Sequence, residues 1–309
     1  MLGRRRFLGA GLAGAAGLAL PGCALVPPAA PTLAPSPAST PLPGQSALAT
    51  LRADLESATA VPWPDPHAGL LAWALGVTAD QCAAVSVPVA SPGAGPSEQR
   101  PEAPDAAALS ALHGALLTAG EAFSAQALAG TAAHPLLWAA MTAWTRATAA
   151  QFDDPTAHRE PARSVLDAAE QAPDAALQAA LDALGEAVHG IELTAGTPGL
   201  GADEVAAARA RIDAWFGHRD ALTDALGPTP TPVPTPAAPW FEVPRPGEPT
   251  QARALIARVE AATMPILGRA FAFGPNATRP PLLEALADAA TDVPRWGGLV
   301  ERWPGLPVS

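Results

Sequence analysis

Glu186 and His189 lie three residues apart in the stretch 181-LDALGEAVHGIELTAG-196, which has the composition of a helix. Helix bundles that bind two iron ions use a Glu and a His at this spacing on each of two helices, together with carboxylates from the other helices. About four carboxylates and two histidines must converge on such a centre. The pattern therefore raises the question of iron binding or metal-dependent oxidation.

A metal ligand in a bundle must share the apolar face of its helix. Leu177 and Leu184 lie on that face in this stretch. Since a helix turns about 100° per residue, Glu186 lies about 140° and His189 about 160° from the centre of the face. Both side chains are therefore expected to point towards solvent.

The remaining candidate ligands are few. His218 lies about 80° from the centre of its helix face, and Glu192 and Glu260 lie on flanks. These side chains cannot supply the full ligand set, so no metal and no cofactor is predicted. Glu186, His189, His218 and Glu260 remain the candidates for the alternative, a metal site.

Arg219 occupies a position on the apolar seam of its predicted helix, between Trp215 and Leu222. A buried arginine needs a carboxylate partner, because an unpaired charge is costly to remove from water. Glu192 and Glu260 are the available partners on neighbouring helices. The sequence therefore predicts a buried ion pair between Arg219 and one of these glutamates.

The elements that position these side chains are predicted to be helices throughout. Alanine, the strongest helix former, dominates the apolar residues, and apolar positions recur at spacings of three and four. We expect an all-α protein with a helical hairpin over 105–152 and helices over 167–194, 202–226, 250–273 and 281–292. The proline-rich segment 227–249 is expected to be an extended crossover.

Residues 1–23 read MLGRRRFLGAGLAGAAGLALPGC and have the basic start and short apolar core of a secretory signal peptide. Arg4, Arg5, Phe7 and Leu8 resemble the twin-arginine export motif. The core ends in 20-LPGC-23, which resembles a bacterial lipobox with Cys23 as the lipidated residue. The alternatives are a cleaved signal with an incidental cysteine, and an uncleaved anchor. Each alternative predicts an exported chain, and lipidation would anchor it to the outer face of the cytoplasmic membrane.

The predicted organisation has four parts. A signal peptide covers 1–22, and a Pro/Ala-rich disordered tether covers 23–47. An N-terminal helical region follows over 48–160, and a second helical bundle covers 161–309.

The charge of the chain argues against one class of partner. The net charge is −11, lysine is absent, and all 18 basic residues are arginine. Such a chain is repelled by phosphate backbones and by anionic lipid heads. Nucleic acid is therefore not expected as a partner.

Four segments together resemble a known family. They are 209-RARIDAWFGHRDALTDAL-226, 240-WFEVP-244, 253-RALIARVEAA-262 and 303-WPGLP-307. The chain is similar, over roughly 164–307, to a ferritin-like domain of unknown function found in actinobacterial exported proteins. The resemblance implies a ferritin-like four-helix bundle with one long crossover, and it implies no activity.

The predicted function is non-catalytic binding or scaffolding at the cell envelope. The partners would be the membrane, through lipid on Cys23, and an unidentified envelope protein or small molecule. One alternative is a metal-dependent oxidoreductase or iron-handling protein. Another is a small-molecule or lipid carrier, which requires a sizeable apolar pocket between helices.

Four tryptophans lie outside the regular helix patterns: Trp63, Trp240, Trp296 and Trp303. Their indole rings combine a large apolar area with one hydrogen-bond donor. They are predicted either to clamp loops onto the helices or to line a groove for a ligand.

Overall fold

Helices form all the regular secondary structure in the described part of the chain, which confirms the all-α prediction. The computed structural model describes residues 43–87, 103–130, 134–155, 159–161, 170–227 and 245–307. The signal peptide, Cys23 and most of the tether and crossover predictions lie outside these residues, as do Arg4, Arg5, Phe7 and Leu8.

In chain order, the α-helices are α1 (Pro43–Ala58), α2 (Asp65–Ala84), α3 (Ala106–Leu128), α4 (Pro135–Asp153), α5 (Pro173–Ala195), α6 (Ala202–Leu226), α7 (Pro249–Phe273) and α8 (Arg279–Arg295). A 3₁₀ turn at Asn276–Thr278 precedes α8.

Prolines mark several of the helix starts. The first turn of a helix leaves its N–H groups without intrahelical partners, so proline costs no hydrogen bond there. α1 begins at Pro43, inside the segment predicted as tether, and α5 begins at Pro173. α7 begins at Pro249, one residue before the predicted start.

Asp105 is the N-cap residue of α3. One oxygen of its carboxylate accepts hydrogen bonds from the backbone N–H groups of Ala107 at 2.7 Å and Ala108 at 3.1 Å. These bonds satisfy two donors of the first turn, which have no partner within the helix.

Four helices of the second half, α5 to α8, pack against one another. α5 contacts α6 and α7, and α8 contacts the same two helices. The helices of the first half attach to this group in series. α4 packs on α8, α3 on α4, α1 on α3 and α2 on α1. The division at residue 160 stays a prediction, and the contact of α4 with α8 joins the two predicted regions within one compact unit.

The segment after α8 ties distant parts of the chain together. Val300 forms a single parallel bridge with Arg159, and its carbonyl accepts a hydrogen bond from the N–H of Glu160 at 3.0 Å. The backbone N–H of Arg302 donates to the Glu160 carboxylate at 2.9 Å, and the Arg302 guanidinium pairs with Asp80 of α2.

The same segment approaches α7 so closely that only glycine fits. A Cβ atom on Gly268 would overlap the backbone carbonyl of Gly305. Gly305 itself has a φ of +81°, which glycine adopts without a steric penalty. The turn containing Trp303 and Gly305 therefore rests directly on the backbone of α7.

Replacing Gly268 with alanine is expected to lower the free energy of unfolding by about 1–3 kcal/mol, because two backbones must move apart to admit a methyl group. The matched control is Gly217→Ala in α6, where an added Cβ meets nothing within 4 Å. That variant is expected to gain up to about 1 kcal/mol from helix propensity. Urea unfolding curves of both variants provide the measurement, and equal effects would contradict the close approach.

Candidate functional site

Arg211 of α6 and Glu260 of α7 form a buried ion pair at the centre of the α5–α8 group. The Arg211 Nε and Nη2 atoms each lie 2.7 Å from one oxygen of the Glu260 carboxylate. Glu260 is fully buried and the Arg211 side chain is only 4% exposed. This two-bond geometry is the strongest form of an arginine–carboxylate contact.

Trp215, one turn after Arg211 on α6, completes the contacts of this pair. Its indole N–H donates to the Glu260 Oε1 atom at 2.9 Å. The Arg211 guanidinium carbon lies 4.0 Å from the centroid of the indole ring, a cation–π distance. Glu260 thus accepts three hydrogen bonds, so the desolvation of its charge is offset by well-placed donors.

α8 contributes a line of carboxylates at every fourth residue, Glu284, Asp288 and Asp292, which share one side of the helix. The Asp292 carboxylate lies 3.0 Å from the Arg211 Nε atom. We refer to Arg211, Trp215, Glu260 and Asp292 as the ion-pair cluster.

The other two carboxylates of this line also meet cationic or histidine side chains. Asp288 lies 2.8 Å from the Nε2 atom of His218, one α6 turn beyond the cluster. Glu284 accepts two hydrogen bonds from Arg146 of α4, at 2.6 and 2.9 Å. The line therefore joins α8 to both α6 and α4.

The electrostatics of the pair follow from its burial. Burial works against the charge of Arg211, but the hydrogen bonds and negative charges of Glu260, Asp292 and Asp288 outweigh it and raise the pKa of Arg211. For Glu260, burial raises the pKa, and the hydrogen bonds from Arg211 and Trp215 oppose this rise. Neighbouring side chains, and not water, therefore stabilise the two charges of the pair.

The structure corrects the predicted partner of Glu260. Arg219 lies at the surface, with its side chain 38% exposed and hydrogen-bonded to the neighbouring Asp220 at 2.9 Å. Its guanidinium carbon is 4.8 Å from the ring centroid of Phe216 on the same helix. Glu192 is exposed and is not in the pair. The arginine of α6 that pairs with Glu260 is Arg211, two turns before Arg219.

The metal candidates do not converge in the described residues. Glu186 and His189 are partly exposed on α5, while His218 binds Asp288 and Glu260 binds Arg211. Among the described residues, no group of three or more His, Cys, Asp or Glu side chains could hold a metal ion. Burial, and then the charge of Asp182, raise the pKa of Glu186.

The ion-pair cluster offers little for catalysis. The Glu260 carboxylate is already engaged by Arg211 and Trp215. A general base needs a free lone pair directed at a substrate, so Glu260 is better suited to structure than to proton transfer. Cys82 of α2 is buried, and burial raises the pKa of its thiol, which disfavours the nucleophilic thiolate.

A groove of about 660 Å³ runs between α1 and α3. Ala, Leu and Val form most of its described wall, with Leu51, Leu112 and Ala119 buried at its base. Alanines face each other across it, and their short side chains leave a volume that longer residues would fill. We call this the α1–α3 groove.

A second cavity, of about 590 Å³, lies where the C-terminal ends of α4 and α8 meet the start of α7. Its wall mixes apolar and polar side chains and includes Gln151, Arg253, Asp292 and Trp296. We call this the α4–α8 cavity, and Asp292 connects it to the ion-pair cluster.

Three of the four tryptophans of irregular segments lie within the described residues. Trp63 is buried, donates to the carbonyl of Ala58 at 2.8 Å and clamps the α1–α2 connection. Trp303 is buried in the segment that follows α8, whereas Trp296 lines the α4–α8 cavity. Trp240 lies outside the described residues.

Arg211, Asp288 and Asp292 were not identified from the sequence. The signal that could have found the carboxylates is their spacing of four from Glu284 on one helix side. For Arg211, the signal is its position one turn before Trp215, where a guanidinium can lie over the indole ring.

Replacing Arg211 with methionine is expected to lower the free energy of unfolding by about 3–5 kcal/mol, because Glu260 is left buried without its cation. Adding Glu260→Gln to that variant should restore more than half of the loss, since the uncompensated charge is removed. Arg219→Met is the matched control on the same helix and should change stability by less than about 0.5 kcal/mol. Chemical unfolding of the three variants is the measurement, and equal losses for the two arginines would contradict the assignment.

The surroundings of Asp288 predict that the free energy of unfolding depends on pH. Burial works to raise its pKa, but the hydrogen bond and charge of His218, with Arg211 and Arg146, lower it on balance. An ionised Asp288 therefore adds stability above the unfolded pKa of about 3.9, and this is lost as the pH falls through the lower folded value.

Asp288→Asn should consequently destabilise the protein at neutral pH, and its difference from the natural protein should shrink below about pH 4. The effect should stay near 1 kcal/mol or less, because the side chain is about half exposed. Urea unfolding across this pH range measures it, with the exposed Asp213→Asn of α6 as the control. A difference that does not change with pH would argue against the ionic role of Asp288.

Comparison of the chain with protein-family models, with curated proteins and with solved structures gives no match. The functional assignment therefore depends on the geometry of the cluster and of the two cavities.

Proposed function

We propose that this protein is an exported, membrane-anchored binding protein that holds an apolar ligand in the α1–α3 groove and catalyses no reaction. The groove is the single observation that supports this proposal, because it supplies the apolar pocket between helices that a carrier requires. The basic, apolar and lipobox-like segments of residues 1–23 support the export and the lipid anchor on Cys23.

The size and lining of the groove suit the tail of an amphiphile. A volume of about 660 Å³ falls within the range of small-molecule sites. The buried base formed by Leu51, Leu112 and Ala119 would remove methylene groups from water, which contributes about 0.8 kcal/mol per buried CH₂.

The rim of the groove favours one kind of head group. Asp54 is the charged residue of the described wall, accompanied by the hydroxyls of Thr50, Ser57 and Thr118. A carboxylate head group would meet a like charge at Asp54, whereas a neutral alcohol or a cation would not. The ligand class is therefore an amphiphile with a neutral or cationic head.

The position of α1 supports delivery from a membrane. By length and composition α3 alone among the described helices could cross a bilayer, although it packs on α1 and α4 here. Only 28% of its most apolar window is buried, so apolar surface remains beside the groove. A lipid on Cys23 would tether α1 to the bilayer, because only about 20 residues separate Cys23 from the start of α1. The bilayer is the source of such ligands.

The ferritin-like resemblance is compatible with a binding protein that holds no metal. The packing of α5 to α8 supports a ferritin-like bundle in the second half, with the 227–249 crossover joining α6 to α7. In this proposal the Arg211–Glu260 pair occupies the centre where an iron-binding relative would gather carboxylates. An oxidoreductase would need those side chains free for a metal.

A larger side chain in the groove wall should weaken the binding of an apolar ligand. Ala115→Phe adds a ring to the half-buried α3 wall and is expected to weaken binding of the fluorescent apolar probe N-phenyl-1-naphthylamine at least tenfold. The control is Ala125→Phe, an exposed position of the same helix outside the described groove wall. Fluorescence titration of the purified full chain gives both affinities.

Two further measurements define the ligand. Decanol should compete with the probe more strongly than decanoate, and Asp54→Asn should narrow that difference. Equal probe binding by Ala115→Phe and Ala125→Phe would refute the groove assignment. Near-stoichiometric iron or manganese in protein purified without chelators would instead support the metal-dependent alternative.

A further inference from the structure

The α4–α8 cavity differs in chemistry from the α1–α3 groove and lies among different helices. α4 supplies Gln151, and Asp154 follows that helix directly. α7 supplies Arg253, while α8 and the residue after it supply Asp292, Arg295 and Trp296. The wall thus combines an amide, two carboxylates, two guanidinium groups and an indole in about 590 Å³.

The charges of this wall balance, and several are already engaged. Asp292 lies 3.0 Å from Arg211, and the Arg253 Nε atom lies 2.5 Å from Glu204. Arg295 lies 3.9 Å from Asp292, a distance at which the two charges still attract. An anion or a cation would have to displace these pairs, whereas a neutral ligand would not.

Two side chains of the wall are more than nine-tenths buried and carry polar groups. Gln151 is 7% exposed and Trp296 is 4% exposed. The indole N–H of Trp296 is buried, and the described residues provide it with no hydrogen-bond acceptor. A buried donor without a partner is unfavourable, and a ligand oxygen would satisfy it once a side-chain movement of Trp296 turns the N–H towards the cavity.

We propose that the α4–α8 cavity binds a neutral polyhydroxylated ligand of the saccharide class. Each sugar hydroxyl donates one hydrogen bond and accepts others, which matches a wall of mixed donors and acceptors such as Gln151, Asp154 and Arg295. Trp296 and Pro294 also line the cavity, but both are largely buried, so they offer a sugar only a narrow apolar edge beside the polar groups. This site is separate from the proposed apolar ligand site, so either proposal can fail alone.

The test measures binding of maltose, cellobiose, trehalose and N,N′-diacetylchitobiose to the purified full chain by isothermal titration calorimetry. L-glutamate and L-arginine serve as charged comparison compounds. At least one disaccharide should bind with a millimolar or lower dissociation constant and more tightly than both amino acids. If none does, the proposal is overturned.

Variants locate the binding in the cavity. Gln151→Leu keeps the size of the side chain, removes its amide and should weaken binding of the best disaccharide about tenfold. Gln126→Leu on α3, outside the cavity wall, is the matched control and should leave the affinity unchanged. Trp296→Phe removes the indole N–H but keeps an aromatic ring, and it should weaken binding at least threefold.

Each variant has a decisive outcome. Circular dichroism confirms that the helices are intact, and probe binding in the α1–α3 groove should be the same in all variants. An unchanged sugar affinity in both Gln151→Leu and Trp296→Phe, or an equal loss in Gln126→Leu, would overturn the assignment to this cavity.

Discussion

The burial of Glu260 constrains the arrangement of the second half of the molecule. A carboxylate without solvent must find donors, and here they come from two residues one turn apart on α6. Because Arg211 also contacts Asp292 of α8, the register of three helices is fixed around one charge. Apolar packing tolerates small sliding movements, but a pair of 2.7 Å hydrogen bonds does not, so such a pair specifies position more than it adds stability.

The two halves of the protein use different means of association, and this difference bears on function. α6, α7 and α8 are joined by hydrogen-bonded charges, and the Arg146–Glu284 contact extends that pattern to α4. α1 and α3 instead meet largely through small apolar side chains around an open groove. Under the proposed carrier function, non-directional contacts would allow α1 and α3 to separate slightly and admit a ligand, while a network of ion pairs holds the rest in place.

The periodic pattern of the sequence predicted the helices well, since Leu177, Trp215 and Leu222 are buried as their spacing requires. The centre was harder to predict. Arg211 and Arg219 each lie about 40° from Trp215 around α6, on opposite sides, so periodicity alone ranks them equally. The choice depends on which side α7 approaches, and that is a tertiary property. Cavities were also beyond reach, because they arise from residues of separate helices, such as Gln151 and Trp296.

The segment after α8 has a consequence for the order of folding. The bond from the Arg302 N–H to Glu160 closes a loop of 142 residues, and contacts of such long range form slowly because of their entropic cost. The segment docks on a surface that the earlier helices build, where Gly268 and Gly305 meet. We therefore expect its docking to be a late step of folding, which the proposed export of a folded chain would require to be complete before the chain crosses the membrane.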